Sequence, residues 1–291
     1  MRTGWFDLHV HSYFSTDADW APEALAERLA FIGAGGFALT DHETVQGIER
    51  ALAAAGAVHI VCIPGIEFTA ALNGRHHHIL AYGVPYTSAP FRSLVDRALA
   101  ARWEKTLRRV EYLQSLGYVI TPEEIGYGSG RTPPVGPRLA EYLFRLHPEN
   151  RQRFLHTHPD VDPNLPVEVA FYRRVIQRAP VEQFPTALAA RELIPALRDF
   201  GVVPVLAHPG CPYYYVTDEE VEQLVRFGIG GIEVYSTYHD DVERQRAQAL
   251  ADRLHLVATG GSDFHGSFKP HIQLHGRYGV TPDVVEALGV G

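Results

Sequence analysis

Histidines and carboxylates stand in short groups along this chain, each directly after a run of apolar residues. The first group is Asp7-Leu8-His9-Val10-His11, at the end of a run of strand length. Because side chains alternate between faces along a strand, His9 and His11 point the same way, with Asp7 on that face. Two imidazoles about 7 Å apart on one strand can converge on one ion. The spacing therefore indicates a pair of metal ligands.

Similar groups follow most of the later apolar runs. They contain Asp41-His42-Glu43, Ile66-Glu67-Phe68, His208-Pro209 and Asp263-Phe264-His265, while His76-His77-His78 stands at the beginning of the fourth run. Glu67 stands among apolar residues, where a carboxylate is costly to bury unless it is paired or bound to a cation. Imidazole nitrogens combined with carboxylate oxygens suit divalent cations. Because a random arrangement rarely gives this pattern, the sequence predicts a multinuclear metal site.

The apolar runs themselves are seven strand candidates, rich in β-branched and aromatic residues. They are Trp5–Val10, Gly36–Thr40, Ile60–Ile66, His78–Val84, Val202–Ala207, Gly231–Tyr235 and Leu256–Thr259. Helical patterns separate many of them, and these are Pro22–Ile32, Val45–Ala55, Ala187–Phe200, Asp218–Phe227 and Asp240–Leu254. Alternation of strand and helix predicts an α/β fold with a parallel sheet. Seven strands favour a closed or nearly closed barrel, with its chemistry at the carboxyl ends of the strands, over an open sheet.

The middle of the chain departs from this alternation. Phe91–Leu116 is expected to be one long amphipathic helix, and a segment rich in Gly and Pro, Gly126–Pro137, follows it. Further helices are expected around Arg138–Leu146 and Val167–Ala179. We therefore predict a barrel domain formed by residues 1–84 and 186–291, and a mostly helical insertion, residues 85–185, that caps the substrate side.

Composition narrows the class of protein. The chain has 291 residues, 46% of them hydrophobic and 21% charged, which is typical of a folded globular protein. Its net charge of −8 argues against a broad surface for duplex nucleic acid. Two cysteines form no disulfide framework. No apolar run approaches the roughly 18 residues of a membrane span, and the first residues lack a signal pattern, so a cytoplasmic location is expected.

The ordered motifs resemble the PHP (polymerase and histidinol phosphatase) family of metal-dependent phosphoesterases. The motifs that carry the resemblance are DLHVHSYFSTD (7–17), LTDHE (39–43), PGIEF (64–68), HIL (78–80), LAHPG (206–210), GIEVY (231–235) and GSDFHG (261–266). They match in order and spacing through both ends of the chain. The resemblance implies a distorted seven-stranded (β/α) barrel, in agreement with the strand count, and a trinuclear site for manganese, zinc or iron.

The resemblance also implies which residues hold the three ions. The sets are His9, His11, Glu67 and Asp263 for the first ion, Glu67, His78 and His208 for the second, and Asp17, His42 and His265 for the third. His78 is preferred to His76 and His77, since the family's histidine directly precedes the Ile-Leu pair. Asp17 follows His11 by six residues, one more than in the nucleotide-phosphatase branch.

The implied activity is hydrolysis of a phosphate monoester or diester by a metal-bound hydroxide, with Asp263 and His265 as catalytic residues beside the metal-bound water. The large insertion favours the nucleotide and RNA phosphatase branch, and thus a nucleotide or short oligonucleotide as substrate. Histidinol phosphate or another small phosphate ester is the alternative. The candidates for binding the substrate are Arg131, Arg138, His239 and Lys269.

Two other classes of protein remain open. The amidohydrolase superfamily also begins with His-x-His on a barrel strand, but many of its members bridge two metals with a carboxylated lysine. Neither Lys105 nor Lys269 suits that position in this sequence. Some PHP domains are non-catalytic modules, but they typically lose metal ligands, whereas this chain retains all nine.

Overall fold

The computed structural model describes residues 4–183 and 187–290. The chain forms two compact units, one comprising Met1–Ala98 and Ala187–Gly291 and the other Leu99–Thr186. The second unit begins at Leu99, which is 14 residues after the predicted start of the insertion at residue 85. The second predicted boundary, between residues 185 and 186, lies outside the described residues.

The first unit contains eight described strands. They are β1 (Trp5–Val10), β2 (Ala34–Leu39), β3 (Val61–Leu72), β4 (Arg75–Tyr82), β5 (Leu188–Ala189), β6 (Pro204–Leu206), β7 (Gly231–Ser236) and β8 (Val257–Gly261). Seven of them form a continuous sheet in the order β1-β2-β3-β4-β6-β7-β8, and the short β5 pairs with β3.

Backbone contacts between the first and last strands bring the sheet close to a closed barrel. Val10 and Phe264 form a parallel bridge, and the N–H of Asp263 donates to the carbonyl of His9 at 2.8 Å. The sheet thus joins residues from the beginning and the end of the chain. The expected seven-stranded barrel is confirmed.

Strand β4 runs against its neighbours, so the expectation of a wholly parallel sheet is wrong at this strand. It pairs antiparallel with both β3 and β6, while the other pairs are parallel. The cause is a two-residue turn, Asn73-Gly74, in which both residues have positive φ angles of 51° and 77°. Asn-Gly favours this turn because both residues tolerate the left-handed region.

Helices cover the strands of the first unit. They are α1 (Pro22–Phe31), α2 (Ile48–Ala57), the first ten residues of α3 (Ala89–Ser115), α7 (Ala190–Asp199), α8 (Asp218–Phe227), α9 (Asp241–Leu254) and α10 (Pro282–Ala287). Residues of β3 alternate between two environments. Ile66, Phe68 and Ala70 pack in an apolar cluster with residues of α7 and α8, so Glu67 must face the opposite side of the sheet.

The second unit is helical and has its own core. It contains the rest of α3 together with α4 (Pro137–Leu146), α5 (Pro148–Thr157) and α6 (Val167–Arg174). Its apolar cluster includes Trp103, Leu113, Leu143, Phe154 and Phe171. No described helix in either unit is both long and apolar enough to cross a membrane.

Candidate metal centre

The nine predicted metal ligands are all buried side chains at or near one end of the barrel strands. His9 lies on β1, Glu67 on β3 and His78 on β4, while the others stand in segments that follow a strand. Those others are His11, Asp17, His42, His208, Asp263 and His265. Segments far apart in sequence therefore contribute to one region.

Glu67 lies at the centre of the histidines. Its Oε2 atom is 3.3 Å from Nε2 of His9, 3.3 Å from Nε2 of His11 and 3.1 Å from Nδ1 of His42. Its Oε1 atom is 2.9 Å from Nδ1 of His78 and 3.3 Å from Nε2 of His208. Five imidazoles thus surround the Glu67 carboxylate, three of them at Oε2 and two at Oε1.

Asp263 and Asp17 complete the cluster. Oδ1 of Asp263 is 3.2 Å from Nε2 of His9 and 3.1 Å from Nε2 of His11. Oδ2 of Asp17 is 3.5 Å from Nε2 of His42 and 3.7 Å from Nε2 of His265. The two aspartates therefore lie against different histidines of the same cluster.

Three sets of side chains in the described residues place ligand atoms close enough for a shared ion. They are His9, His11, Glu67 and Asp263; His42, Glu67 and His78; and His11, His42 and His265. The first set contains the same residues that the motifs imply. The other two differ by one residue each from the sets that the motifs imply. His42 stands in place of His208 in the second set, and His11 stands in place of Asp17 in the third.

Hydrogen bonds determine which nitrogen of three histidines carries the proton. Nδ1 of His9 lies 3.1 Å from a carboxylate oxygen of Glu233, and Nδ1 of His265 lies 2.8 Å from the carbonyl of Asp263. Both acceptors require an N–H at Nδ1. Nε2 is then the atom of each ring that faces the cluster and that could bind an ion in the neutral form of the ring.

The third histidine, His11, is fixed through Ser15. The single hydroxyl proton of Ser15 goes to Oδ1 of Asp41 at 2.9 Å, so the Ser15 oxygen can only accept from Nδ1 of His11 at 3.3 Å. The Asp41 carboxylate also accepts from the N–H and the hydroxyl of Ser12 at 2.7 Å each. A buried network therefore makes Nδ1 of His11 a donor and leaves Nε2, which faces Glu67, as the ring atom that could bind an ion.

The donor atoms fit divalent cations. Nε2 of His9, His11 and His265 are buried and have no hydrogen-bond partner among the described residues. Two ligand atoms about 2.1 Å from a common ion, at angles between 90° and 109°, lie about 3.0–3.4 Å apart. The spacings around Glu67 and Asp263 fall largely in this range. An ion would satisfy the buried nitrogens that the protein itself leaves unpaired.

Electrostatics keep the central carboxylates ionised. Burial alone would raise the pKa of Glu67, but the imidazoles of His78, His9 and His42 lower it well below its usual range. Burial likewise opposes ionisation of Asp263, while Lys269, His265 and His9 hold its pKa well below the usual range. Burial lowers the pKa of His78 to about 4 despite the nearby Glu67. Anionic oxygens and a neutral His78 imidazole are the forms that bind metals.

The residues predicted to bind substrate fall in different places. Lys269 lies beside the cluster, where its Nζ donates to Oδ2 of Asp263 at 2.7 Å. Both ring nitrogens of His239 are used by the backbone, since Nδ1 lies 2.9 Å from the carbonyl of Val234 and Nε2 accepts from the N–H of Gly210 at 3.0 Å. His239 therefore has no ring nitrogen left for a phosphate. Arg131 and Arg138 lie in the helical unit, where Arg138 pairs with Glu141.

Sequence reasoning missed Glu233, Ser15 and Tyr238. Glu233 stands alone in the apolar strand Gly231–Ser236, the same signal that singled out Glu67. Ser15 and Tyr238 carry no such signal, because serine and tyrosine are common in loops. Asp7, which the strand alternation places on the same face as His9, accepts from the backbone N–H groups of His9 and Ser262.

The chain is similar to known proteins over most of its length. The family model described as PHP domain matches residues 7–120. The chain is 30% identical to a phosphoribosyl 1,2-cyclic phosphate 1,2-diphosphodiesterase of Eggerthella lenta, covering 91% of this chain and 97% of that protein. It is 27% identical to a 3′,5′-nucleoside bisphosphate phosphatase of Chromobacterium violaceum, covering 89% of this chain and 86% of that protein.

A solved structure has a similar fold. A candidate metal-dependent phosphoesterase of Bifidobacterium adolescentis superimposes with a TM-score of 0.78 at 26% identity, covering 98% of this chain and 96% of that one. The barrel, the buried cluster and these relatives define a hydrolase of phosphoric esters that belongs to the metal-dependent class. The chain belongs to the PHP family.

Two alternatives were raised by the sequence, namely an amidohydrolase and a non-catalytic PHP module. Glu67 occupies the centre of the cluster, where many amidohydrolases have a carboxylated lysine. The Lys269 ammonium contacts Asp263 and Tyr238, so it does not lie between two sets of ligands as a bridging lysine would. The relatives are named for enzymatic activities, which favours an enzyme over a non-catalytic module.

Proposed function

We propose that this protein hydrolyses a phosphoester of a phosphorylated ribose, free or within a nucleotide, at a trinuclear metal centre at the end of its barrel. The observation that carries the proposal is the buried cluster in which His9, His11, His42 and His78 surround the two oxygens of Glu67 at 2.9–3.3 Å. A surface-exposed group of histidines would not have its free nitrogens excluded from water and directed at carboxylates.

The names of two relatives support this class of substrate. One acts on a cyclic phosphate of phosphoribose and the other on a nucleoside bisphosphate. Both substrates are phosphate esters of ribose, and a short RNA presents the same chemistry at its end. The proposed leaving group is therefore an oxygen of ribose or of a nucleoside.

The protein contributes ligands that are already oriented. Glu233 and Ser15 hold His9 and His11 in the tautomer that leaves Nε2 free. Three divalent ions in the sets described above would supply a nucleophile from water at neutral pH and offset charge on the phosphoryl oxygens. Asp263 and His265, next to each other at the rim, are the proposed catalytic residues, and the proposed ions are manganese, zinc or iron.

The test is a phosphate-release screen with protein that has been stripped by a chelator and reloaded with Mn²⁺, Zn²⁺ or Fe²⁺. The substrates are a ribose cyclic phosphate, a nucleoside 3′,5′-bisphosphate, a short 5′-phosphorylated RNA and histidinol phosphate. We expect turnover of a ribose phosphate only after reloading. The proposal fails if the metal-free protein is fully active or if histidinol phosphate is the preferred substrate.

A matched pair of variants tests whether the cluster is responsible. His9→Ala should reduce turnover by orders of magnitude because it removes a proposed ligand of the first ion. His156→Ala alters an exposed histidine on α5 and should leave turnover unchanged. Similar activity in the two variants would show that His9 does not act in catalysis.

A further inference from the structure

Lys269 lies at the edge of the metal-ligand cluster and has a hydrogen-bond donor to spare. Its ammonium has three N–H groups. One is directed at Oδ2 of Asp263 at 2.7 Å and another at the hydroxyl of Tyr238 at 2.8 Å. Nζ makes no other hydrogen bond to the described residues. One N–H is therefore available for another acceptor.

The surroundings of Lys269 show what that acceptor would be. Its side chain is 25% exposed, whereas the Asp263 side chain is 3% exposed, so the lysine lies between the buried cluster and solvent. Tyr238 donates its only hydroxyl proton to Oδ2 of Asp263 at 2.6 Å, and the tyrosine oxygen thereby accepts from Lys269. The two contacts hold the ammonium in place beside the carboxylate.

The same carboxylate faces the proposed ions with its other oxygen. Oδ1 of Asp263 lies 3.1 Å from Nε2 of His11 and 3.2 Å from Nε2 of His9. The ammonium is thus separated from the ligand nitrogens by one carboxylate group. Asp263 has a single negative charge to share between the ammonium and a bound ion, so Lys269 retains charge to offer an anion.

We propose that Lys269 binds a non-bridging oxygen of the substrate's phosphoryl group through its third N–H, with Tyr238 as the residue that positions it. This inference rests on the proposed function and deepens it by assigning a phosphate-binding residue outside the metal ligands. An ammonium is a compact point charge that binds phosphate oxygens well. It would also stabilise the charge that develops on those oxygens during hydrolysis.

Three variants separate phosphate binding from a purely supporting role for Lys269. Lys269→Met removes the charge at similar length, and Tyr238→Phe removes a hydrogen bond to the same oxygen of Asp263 while keeping the ammonium. Lys105→Met removes the only other lysine of the chain, which lies on α3, as a control. Binding of inorganic phosphate to metal-loaded protein is measured by calorimetry, and metal content by mass spectrometry.

We expect Lys269→Met to weaken phosphate binding at least about tenfold at unchanged metal content, the equivalent of about 1.4 kcal/mol. Tyr238→Phe should weaken phosphate binding less, by about threefold, because the ammonium loses its positioning contact but keeps its charge, and Lys105→Met should bind phosphate like the parent. The proposal is overturned if Lys269→Met binds phosphate like the parent, if the parent binds none, or if Lys269→Met and Tyr238→Phe lose the same affinity and metal. A loaded parent that binds phosphate but cleaves no ester would instead contradict the proposed function.

Discussion

At the scale of single residues, Glu233 connects two of the proposed ligands. Its carboxylate accepts from Nδ1 of His9 at 3.1 Å and from the backbone N–H of His208 at 2.7 Å. Glu233→Gln should weaken metal binding about 10–100-fold, because a glutamine has only one acceptor oxygen for these two donors and has no negative charge. Competition with a coloured chelator measures the dissociation constant. Glu27→Gln, on the exposed side of α1, is the control, and equal affinities in both variants would contradict this role.

Cys62 gives a pH dependence that is independent of the site. Burial raises the pKa of its thiol from 9.0 to about 12. The Cys62 thiol therefore ionises above about pH 9 in the unfolded chain but not in the folded protein. The contribution of the protonated thiol to the free energy of unfolding is fully present below pH 9 and is lost as the pH rises towards 12. The loss is up to about 1.4 kcal/mol per pH unit.

Urea unfolding between pH 8 and 11 measures this effect. The free energy of unfolding should fall more steeply with pH in the parent than in Cys62→Ala, whatever the cost of the substitution at pH 8. Parallel curves for the two proteins would show that the buried thiol ionises as easily as an exposed one.

The candidate ligands could be predicted from sequence because they follow strand ends and are costly to bury without a partner. Glu67 is such a residue, and the alternation of β4 explains why His78 reaches Glu67 while His77 lies 3.7 Å from Glu220 instead. The hydrogen-bond partners of the ligands could not be predicted in this way. Ser15 supports His11 only because the loop after β1 folds back onto Asp41, and that depends on tertiary contacts.

At the scale of elements, hydrogen bonds connect two loops that carry proposed ligands. Asp19, near Asp17, accepts from the N–H of Ser267 at 3.1 Å and from its hydroxyl. Gly266, beside His265, has a φ of +66°, and a Cβ atom there would overlap with the Asp19 carboxylate. A side chain at residue 266 would therefore push the two loops apart.

Gly266→Ala should lower both thermal stability and metal affinity. A left-handed alanine costs about 1–2 kcal/mol, and the overlap with Asp19 should add about 1–3 kcal/mol. Gly33→Ala is the matched control, since Gly33 has a φ of +82° with no atom within 4 Å of the added Cβ. Calorimetric melting and metal titration compare the two variants. Equal losses would mean that the loop contact is unimportant.

Helices with clear start and stop signals were predicted better than the antiparallel strand β4 and the helices with a weak apolar pattern. The prediction for α8, Asp218–Phe227, is confirmed to the residue, since a capping threonine precedes it and Gly228 ends it. Helix α2 was expected to end before Gly56 but continues to Ala57, because tertiary packing outweighs the cost of one glycine. The reversal of β4 was missed because the Asn73-Gly74 turn was not weighed. Helix α5 was missed because few of its ten residues are apolar, and α10 because it has only six residues.

At the scale of the whole molecule, the helical unit has a separate apolar cluster. Residues up to Ala98 on α3 pack with the barrel cluster, whereas Trp103 and Val110 belong to the other. Replacing Leu99–Thr186 with a short Gly/Ser linker should therefore leave the barrel folded, with metal content unchanged. Its preference among phosphate esters should change at least about tenfold if the insertion contacts substrate. A folded variant without metal would contradict a separate role for the insertion.

Closure of the barrel by its first and last strands also affects how the protein is made. Residues 7–11 leave the ribosome early, while Asp263 and His265 emerge only after more than 250 further residues have been added. Until then, β1 lacks its partner at residues 263–264 and the nascent chain exposes an unpaired strand edge. The set of His9, His11, Glu67 and Asp263 can therefore come together only after residue 263 has been synthesised.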